Sequence, residues 1–178
     1  HINDLFETCS KRLDLMSNLM FKGDRLSLET IFNSFIRSKI EYANIIYMNT
    51  HKKDLDKINK LYYEAMRIVT GATRRCPTNA LLTETNWPTA SQRLYVHTLV
   101  MMFKIVNGLA PINLLNIFNS DRYFVQDNYN LRHPKINLPK CRTDLFHSSF
   151  FFSGIKFWND LTPNQKSKNT LSSFKYCI

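Results

Sequence analysis

The sequence is poor in the residues that punctuate β-structure, with only four glycines and six prolines in 178 residues. A turn-rich β-sandwich needs many such residues, so this scarcity argues against an all-β fold. Long apolar runs are also missing, since none approaches the roughly 18 residues that span a bilayer. The opening stretch HINDLFETCSKRLD carries charges where a signal peptide needs an apolar run. We therefore expect no membrane partner.

Residue patterns that carry catalysis are missing as well. The acidic residues are never adjacent, and Asp54 and Asp56 stand two apart on a predicted helix, so their carboxylates point in different directions. A two-metal nuclease or polymerase instead needs carboxylates that converge on its metal ions. There is no glycine-rich phosphate loop and no GxSxG motif, and the five histidines are scattered. We therefore expect no catalytic residue, no cofactor and no small-molecule substrate, so that the chain on its own is not an enzyme.

The spacing of the four cysteines does not suggest a metal site. These cysteines are Cys9, Cys76, Cys141 and Cys177. They lie far apart, and no CxxC pair or Cys/His cluster has the spacing of a zinc site. Free thiols are typical of a reducing compartment, so we expect an intracellular protein without a bound metal.

What the sequence does have is positive charge and enough apolar residues for a core. Lysine and arginine number 24 against 14 aspartates and glutamates, and the isoelectric point is near 9.6. Apolar residues make up 44%, which is ordinary for a globular domain and argues against disorder. For a basic globular protein, polyanions are the first partners to consider.

Apolar residues recur at helical spacing along most of the chain up to residue 118. The predicted helices run over 4–20, from Ser27 to about Tyr47, from Thr50 to Gly71, from Pro77, over 89–108, and from Pro111 to about Phe118. In the helix that begins at Ser27, the residues predicted to face inward are Leu28, Ile31, Phe32, Phe35 and Ile36. We therefore expect an all-α fold, an irregular helical bundle over residues 1–118.

The helical pattern stops after residue 118. The segment 119–147 contains two prolines and has no helical period, so we predict an extended basic arm there. The final segment, 148–178, begins with a dense aromatic run and is predicted to form a helix and tail that dock onto the bundle.

The aromatic run HSSFFFSGIKFWNDL allows three interpretations. On a helix over 150–161, one broad apolar face is formed by Phe150, Phe151, Ile155, Phe157, Trp158 and Leu161. Such a face favours packing in a core. Phe152 lies off this face, where an exposed ring would suit base stacking. Membrane contact is the third interpretation, and the shortness of the helix and its few basic residues argue against it.

The helix predicted from Thr50 to Gly71 has an apolar back and a basic front. The back is formed by Leu55, Ile58, Tyr62, Ala65 and Val69, and the front by Lys53, Lys57, Lys60 and Arg67, interrupted by Glu64. Arg74 and Arg75 extend the positive charge past the end of the helix, and Lys140 and Arg142 in the arm form a second candidate contact. These cations either contact the phosphates of a nucleic-acid duplex or form an ordinary solvated face.

Several stretches together resemble one protein family. They are FIRSKIEYANIIY (35–47), LDKINKLYYEAMRIVTGA (55–72), MMFKIVNGLAP (101–111), YNLRH (129–133) and LPKCRTDLFHSSFFFSGIKFWNDLTP (138–163). Their order and spacing resemble the region that follows the catalytic domain in reverse transcriptases of non-LTR, LINE-type retrotransposons of the jockey-like group. The resemblance covers nearly the whole chain. Two features depart from the family pattern, because Thr162 separates Leu161 from Pro163 and no C-terminal zinc knuckle is present.

The resemblance implies that the chain is a fragment of a longer RNA-directed DNA polymerase with an endonuclease. The catalytic palm, which would use Mg²⁺, would lie upstream, and the bundle would be a thumb that grips the template–primer duplex. The implied partners are an RNA–DNA or DNA duplex and the element RNA, in the nucleus and cytoplasm if the element is active. The alternative is a decayed or independent helical protein-interaction module with no nucleic-acid role.

Overall fold

The structure, a computed structural model, describes residues 2–47, 52–118 and 136–178. These residues form helices and no strand, which confirms the predicted all-α fold. The chain divides into two compact units, His1–Arg93 and Leu94–Ile178. This division does not coincide with the boundaries at residues 118 and 147 that the sequence suggested.

The first unit is built around a pair of packed helices, α1 and α5. Its elements are α1 (Ile2–Ser17), α2 (Arg25–Ile31), a π-helical segment (Phe32–Arg37), α3 (Ser38–Glu41), α4 (Asn44–Tyr47), α5 (Lys52–Thr70) and α6 (Thr78–Thr85). Leu5, Cys9, Leu13 and Met16 are buried along one face of α1, which ends at Ser17, earlier than the helix predicted over 4–20. Met20 lies beyond the end of α1.

The prediction of one regular helix from Ser27 to Tyr47 is wrong. The helix begins earlier, at Arg25, and a residue with a positive φ of 55°, Ala43, separates α3 from α4. The buried residues are spaced four apart, at Leu28, Phe32, Ile36 and Ile40. In an α-helix each such step would turn the side chain by about 40°. The π-helical segment has more residues per turn and keeps these side chains on one side.

The same π-helical segment explains the error at Phe35. The sequence placed this side chain in the core, but it is 60% exposed. An apolar face assigned with the period of a regular α-helix includes Phe35, whereas the wider turn rotates it outward and leaves Phe32 and Ile36 inside.

The second unit begins within a long helix and continues with shorter ones. Its elements are α7 (Ala90–Val106, which begins in the first unit), α8 (Ile112–Phe118), α9 (Asp144–His147), α10 (Phe150–Asp160), α11 (Pro163–Lys166) and α12 (Leu171–Cys177). Of the predicted arm, residues 119–135 lie outside the described residues, and 136–143 have no regular secondary structure. Residues 144–147 are helical, contrary to the prediction, because the hydroxyl of Thr143 accepts a hydrogen bond from the Phe146 N–H and caps α9.

The aromatic run forms part of the core of the second unit. Ile155, Trp158 and Leu161 are buried there. The ring of Phe174 from α12 lies 4.6 Å from that of Phe103 and 5.8 Å from that of Trp158, measured between centroids. These contacts agree with the core interpretation of the aromatic residues.

Gly154 allows α10 to lie close against α7. A Cβ at this position would stand 3.0 Å from the Sδ of Met102 and 3.3 Å from a ring carbon of Phe150. Since Met102 is fully buried, it has little room to move away. A larger residue at this position would therefore require Met102 or Phe150 to shift by a few tenths of an ångström.

Candidate nucleic-acid interface

The helix that carries most of the predicted site, α5, is held firmly by its apolar side. Ile58, Tyr62, Ala65 and Val69 are buried as predicted, whereas Leu55 is only partly buried. Leu61, Met66 and Ile68 are buried as well, so the exposed stripe of α5 is narrower than the sequence suggested. The basic side chains therefore project from a rigid helix whose remaining surface is largely covered.

Gly71 ends α5 as predicted. Its φ of 68° lies in the left-handed region that favours glycine, and the Ala72 N–H donates to the Arg67 carbonyl at 3.0 Å. The predicted start of this helix, Thr50, lies outside the described residues. The helix α5 ends abruptly at Gly71, and the loop that carries Arg74 and Arg75 follows directly.

Two of the predicted front residues, Lys53 and Lys60, are exposed and have no ion-pair partner among the residues that the structure describes. Lys60 lines a shallow cleft of about 230 Å³ between α1 and α5, which also contains the carboxylates of Asp14 and Glu64. A phosphate near Lys60 would therefore meet a mixed electrostatic environment.

The other two front residues are paired with carboxylates on α5 itself. The Nζ of Lys57 lies 3.1 Å from the Oδ1 of Asp54 and donates to the Oδ1 of Asn3 at 2.8 Å. The guanidinium of Arg67 lies 3.3 Å from the Oε2 of Glu64, and its side chain is only 19% exposed. These two cations are less available to an external phosphate than Lys53 and Lys60.

Arg74 and Arg75 lie in the loop between α5 and α6, and both are exposed. A turn in which the Cys76 N–H donates to the Thr73 carbonyl at 3.0 Å closes this loop. No carboxylate within the described ranges pairs with either arginine. The first unit thus brings together four exposed, unpaired cations along α5 and the loop that follows it, namely Lys53, Lys60, Arg74 and Arg75.

The two arm candidates, Lys140 and Arg142, are exposed in the second unit. The irregular segment that carries them is anchored at Ile136, whose N–H donates to the Oδ1 of Asn159 at 3.1 Å. The carbonyl of Ile136 accepts from the Nδ2 of Asn159 at 2.8 Å. One asparagine therefore fixes the start of the segment to α10.

A charged cluster that the sequence did not assign lies inside the first unit. Arg93 donates two hydrogen bonds of 2.6 Å to the two oxygens of Glu41, and Arg37 donates to the same carboxylate at 2.9 Å. Burial alone would raise the pKa of Glu41, but the hydrogen bonds from the two guanidiniums outweigh it and the pKa lies below its ordinary value.

Tyr62 completes this cluster, since its hydroxyl lies 3.3 Å from the Oε1 of Glu41. Burial and the negative charge of Glu41 together raise the pKa of Tyr62. The sequence offered no signal that pairs Arg93 of α7 with Glu41, which stands 52 positions away.

Comparison with known proteins adds no relative, because no family model, curated protein or solved structure matches this chain. Within the described ranges, no three His, Cys, Asp or Glu side chains are placed to hold a metal ion together. No helix in the same part of the chain is both long and apolar enough to cross a membrane.

Proposed function

We propose that this chain is a non-catalytic, thumb-like part of a LINE-type retrotransposon reverse transcriptase and that it grips the template–primer duplex through α5. One observation carries the binding role. Lys53, Lys60, Arg74 and Arg75 are exposed along one helix and its following loop, without a carboxylate partner among the described residues. The resemblance of the sequence motifs supports the origin of the chain.

The absence of a partner matters because a paired cation must give up its carboxylate before it can contact a phosphate. An unpaired lysine or arginine instead displaces only counterions from the duplex, and their release favours binding. The packed back of α5, at Ile58 and Ala65, fixes the helix that carries Lys53 and Lys60. Unpaired cations suit the phosphate backbone of a duplex and read no base sequence.

In this proposal the chain holds nucleic acid and performs no chemistry. Polymerisation belongs to an upstream palm with its own Mg²⁺, and the element RNA reaches this chain only as one strand of the duplex. The protein would then act wherever element RNA is copied, in the nucleus and cytoplasm.

The test is the salt dependence of binding to a labelled RNA–DNA hybrid, followed by fluorescence anisotropy. Four phosphate contacts predict that the logarithm of the binding constant falls by about 3.6 units per logarithmic unit of salt. Unrelated hybrid sequences should bind equally. A slope near zero, or no binding at about 50 mM salt, would refute the proposal.

One observation favours the second candidate function, a protein-interaction module. Apolar side chains near the turn between α1 and α2 are unusually exposed: Leu15 is 68%, Phe21 89% and Leu26 71% exposed. Exposed apolar side chains are typical of surfaces that bind another protein when they form one contiguous patch. A folded chain that binds no hybrid in the assay above would leave this function as the better candidate.

A further inference from the structure

The last two helices of the second unit, α11 and α12, carry a basic surface that the sequence analysis did not single out. Residues 163–178 contain three lysines and no acidic side chain. The Nε2 of Gln165 donates to the Cys177 carbonyl at 2.9 Å and ties α11 to the end of α12. We call this pair of helices the C-terminal hairpin.

Both helices of the C-terminal hairpin have capped N-termini. Thr162 and Gln165 form a capping box at the start of α11. The hydroxyl of Thr170 accepts from the Ser173 N–H at the start of α12. The surface therefore lies on ordered backbone and not on a loose tail.

The outer side of α12 presents an aromatic ring to solvent. Phe174 is fully buried and points into the core, toward Trp158. Tyr176, two positions later, lies about 160° around the helix from Phe174. It is 94% exposed, and the neighbouring Lys175 is exposed too.

Two lysines of this surface, Lys168 and Lys175, have no carboxylate at ion-pair distance within the described part of the chain. Exposed side chains of Asn169, Ser172 and Ser173 lie near them in the sequence. Lysine together with serine and asparagine is the side-chain set that commonly contacts phosphate and sugar oxygens.

We propose that the C-terminal hairpin binds single-stranded nucleic acid, with Tyr176 stacking on an unpaired base and Lys168 and Lys175 contacting phosphates. A solvent-exposed ring next to an exposed lysine matches the combination that single-strand binding surfaces use. Base pairs in a duplex already stack on one another, so the ring of Tyr176 would gain little there. This surface belongs to the second unit and α5 to the first, and the inference does not depend on duplex binding by α5.

A membrane surface is the less suitable partner for the C-terminal hairpin. Membrane-binding amphipathic helices insert an apolar face between the lipids. The apolar side of α12 is occupied, because Phe174 is buried in the core and Leu171 packs against it. A single exposed tyrosine provides too little apolar area to replace that face.

The test uses the full chain and a labelled single-stranded pyrimidine oligonucleotide. Loss of one stacked base in Tyr176→Ala should weaken binding about 5- to 150-fold. Tyr176→Phe keeps a ring of the same size and should bind like the parent chain. Tyr42→Ala is the matched control, because it removes a 77% exposed tyrosine from the first unit and should leave the affinity unchanged.

The contribution of Lys168 and Lys175 is measured separately, from the salt dependence of single-strand binding. Replacing Lys168 and Lys175 by glutamine should flatten the salt slope of single-strand binding by about 0.7 units for each lysine. An unchanged affinity in Tyr176→Ala would overturn the proposal. So would an equal loss of hybrid binding in that variant, or competition by anionic phosphatidylserine vesicles that matches competition by unlabelled single strand.

Discussion

The different pairing of Lys57 and Lys60 predicts that these two lysines, one turn apart on α5, contribute differently to duplex binding. Lys57 lies 3.1 Å from the Asp54 carboxylate, whereas Lys60 is exposed and has no partner among the described residues. The sequence treated both lysines as equivalent members of one basic front. Of these two lysines, only Lys60 is directly available for the proposed phosphate contact.

The magnitude follows from counterion release. Lys60→Gln should flatten the log–log salt slope of hybrid binding by about 0.9 units, the value of one phosphate contact. Replacing Lys53, Lys60, Arg74 and Arg75 together should flatten it by about 3.6 units, which corresponds to roughly 150-fold in affinity between about 50 and about 200 mM salt. The combined variant should keep its fold, since exposed substitutions usually change stability by no more than about 0.5 kcal/mol.

The matched control removes a charge pair without changing the net charge. In the Asp54→Asn, Lys57→Gln double variant a carboxylate and an ammonium group disappear together. The slope should therefore stay within about 0.2 units of the parent chain, well below the value of one contact. Anisotropy titrations at four salt concentrations measure all three variants, and circular dichroism checks their folding. An unchanged slope in the fourfold variant would mean that these four exposed cations are only solvated.

Three further predictions concern the packing and charge of the two units. Ile58→Ala should cost about 2–5 kcal/mol in urea unfolding, because it leaves a cavity behind α5, and should not change the salt slope of the folded protein. Hydrogen bonds from Arg93 and Arg37 outweigh burial and lower the pKa of Glu41 in the folded protein. The ionised Glu41 carboxylate therefore stabilises the fold fully above its ordinary pKa of 4.5, and this stabilisation is lost as the pH falls through the lower pKa of the folded state. The stability difference between the parent chain and Glu41→Gln should accordingly shrink in acid, and a difference that stays constant from pH 7 to about 3 would contradict this reasoning. Gly154→Ala should lower stability by about 1–2 kcal/mol, because overpacking against Met102 exceeds the gain in helix propensity, whereas a raised melting temperature would show that Met102 moves aside.

The helices with a regular period could be predicted from the sequence. In α1 and α5 the buried residues follow the spacing of an α-helix, and Gly71 ends α5 where the pattern stops. The prediction failed between residues 27 and 47, where the backbone changes its period within one element. A π-helical segment has no amino-acid composition that distinguishes it from an α-helix. A pattern interpreted with a single helical period therefore places Phe35 in the core and misses the break at Ala43.

The sequence named the cations of the candidate site, but it did not predict which of them are paired with carboxylates. Asp54 and Lys57 are three residues apart, as are Glu64 and Arg67, and such spacings often form ion pairs on a helix. That signal was present in the sequence. The contact between Glu41 and Arg93 is different in kind, because it depends on how two distant helices pack and has no local pattern.

Charge pairing also distinguishes the two units as surfaces for a polyanion. The sequence places 14 basic and 10 acidic residues in His1–Arg93, and 10 basic and 4 acidic residues in Leu94–Ile178. In the first unit the local arrangement of acids decides which cations remain available, as Lys57 and Lys60 illustrate. The second unit has only four acids for ten cations, a net charge of +6 against +4 in the first unit, so a smaller share of its cations can be paired at once. A rearrangement of side chains would therefore alter the proposed duplex contacts on α5 more readily than the proposed single-strand contacts on the C-terminal hairpin.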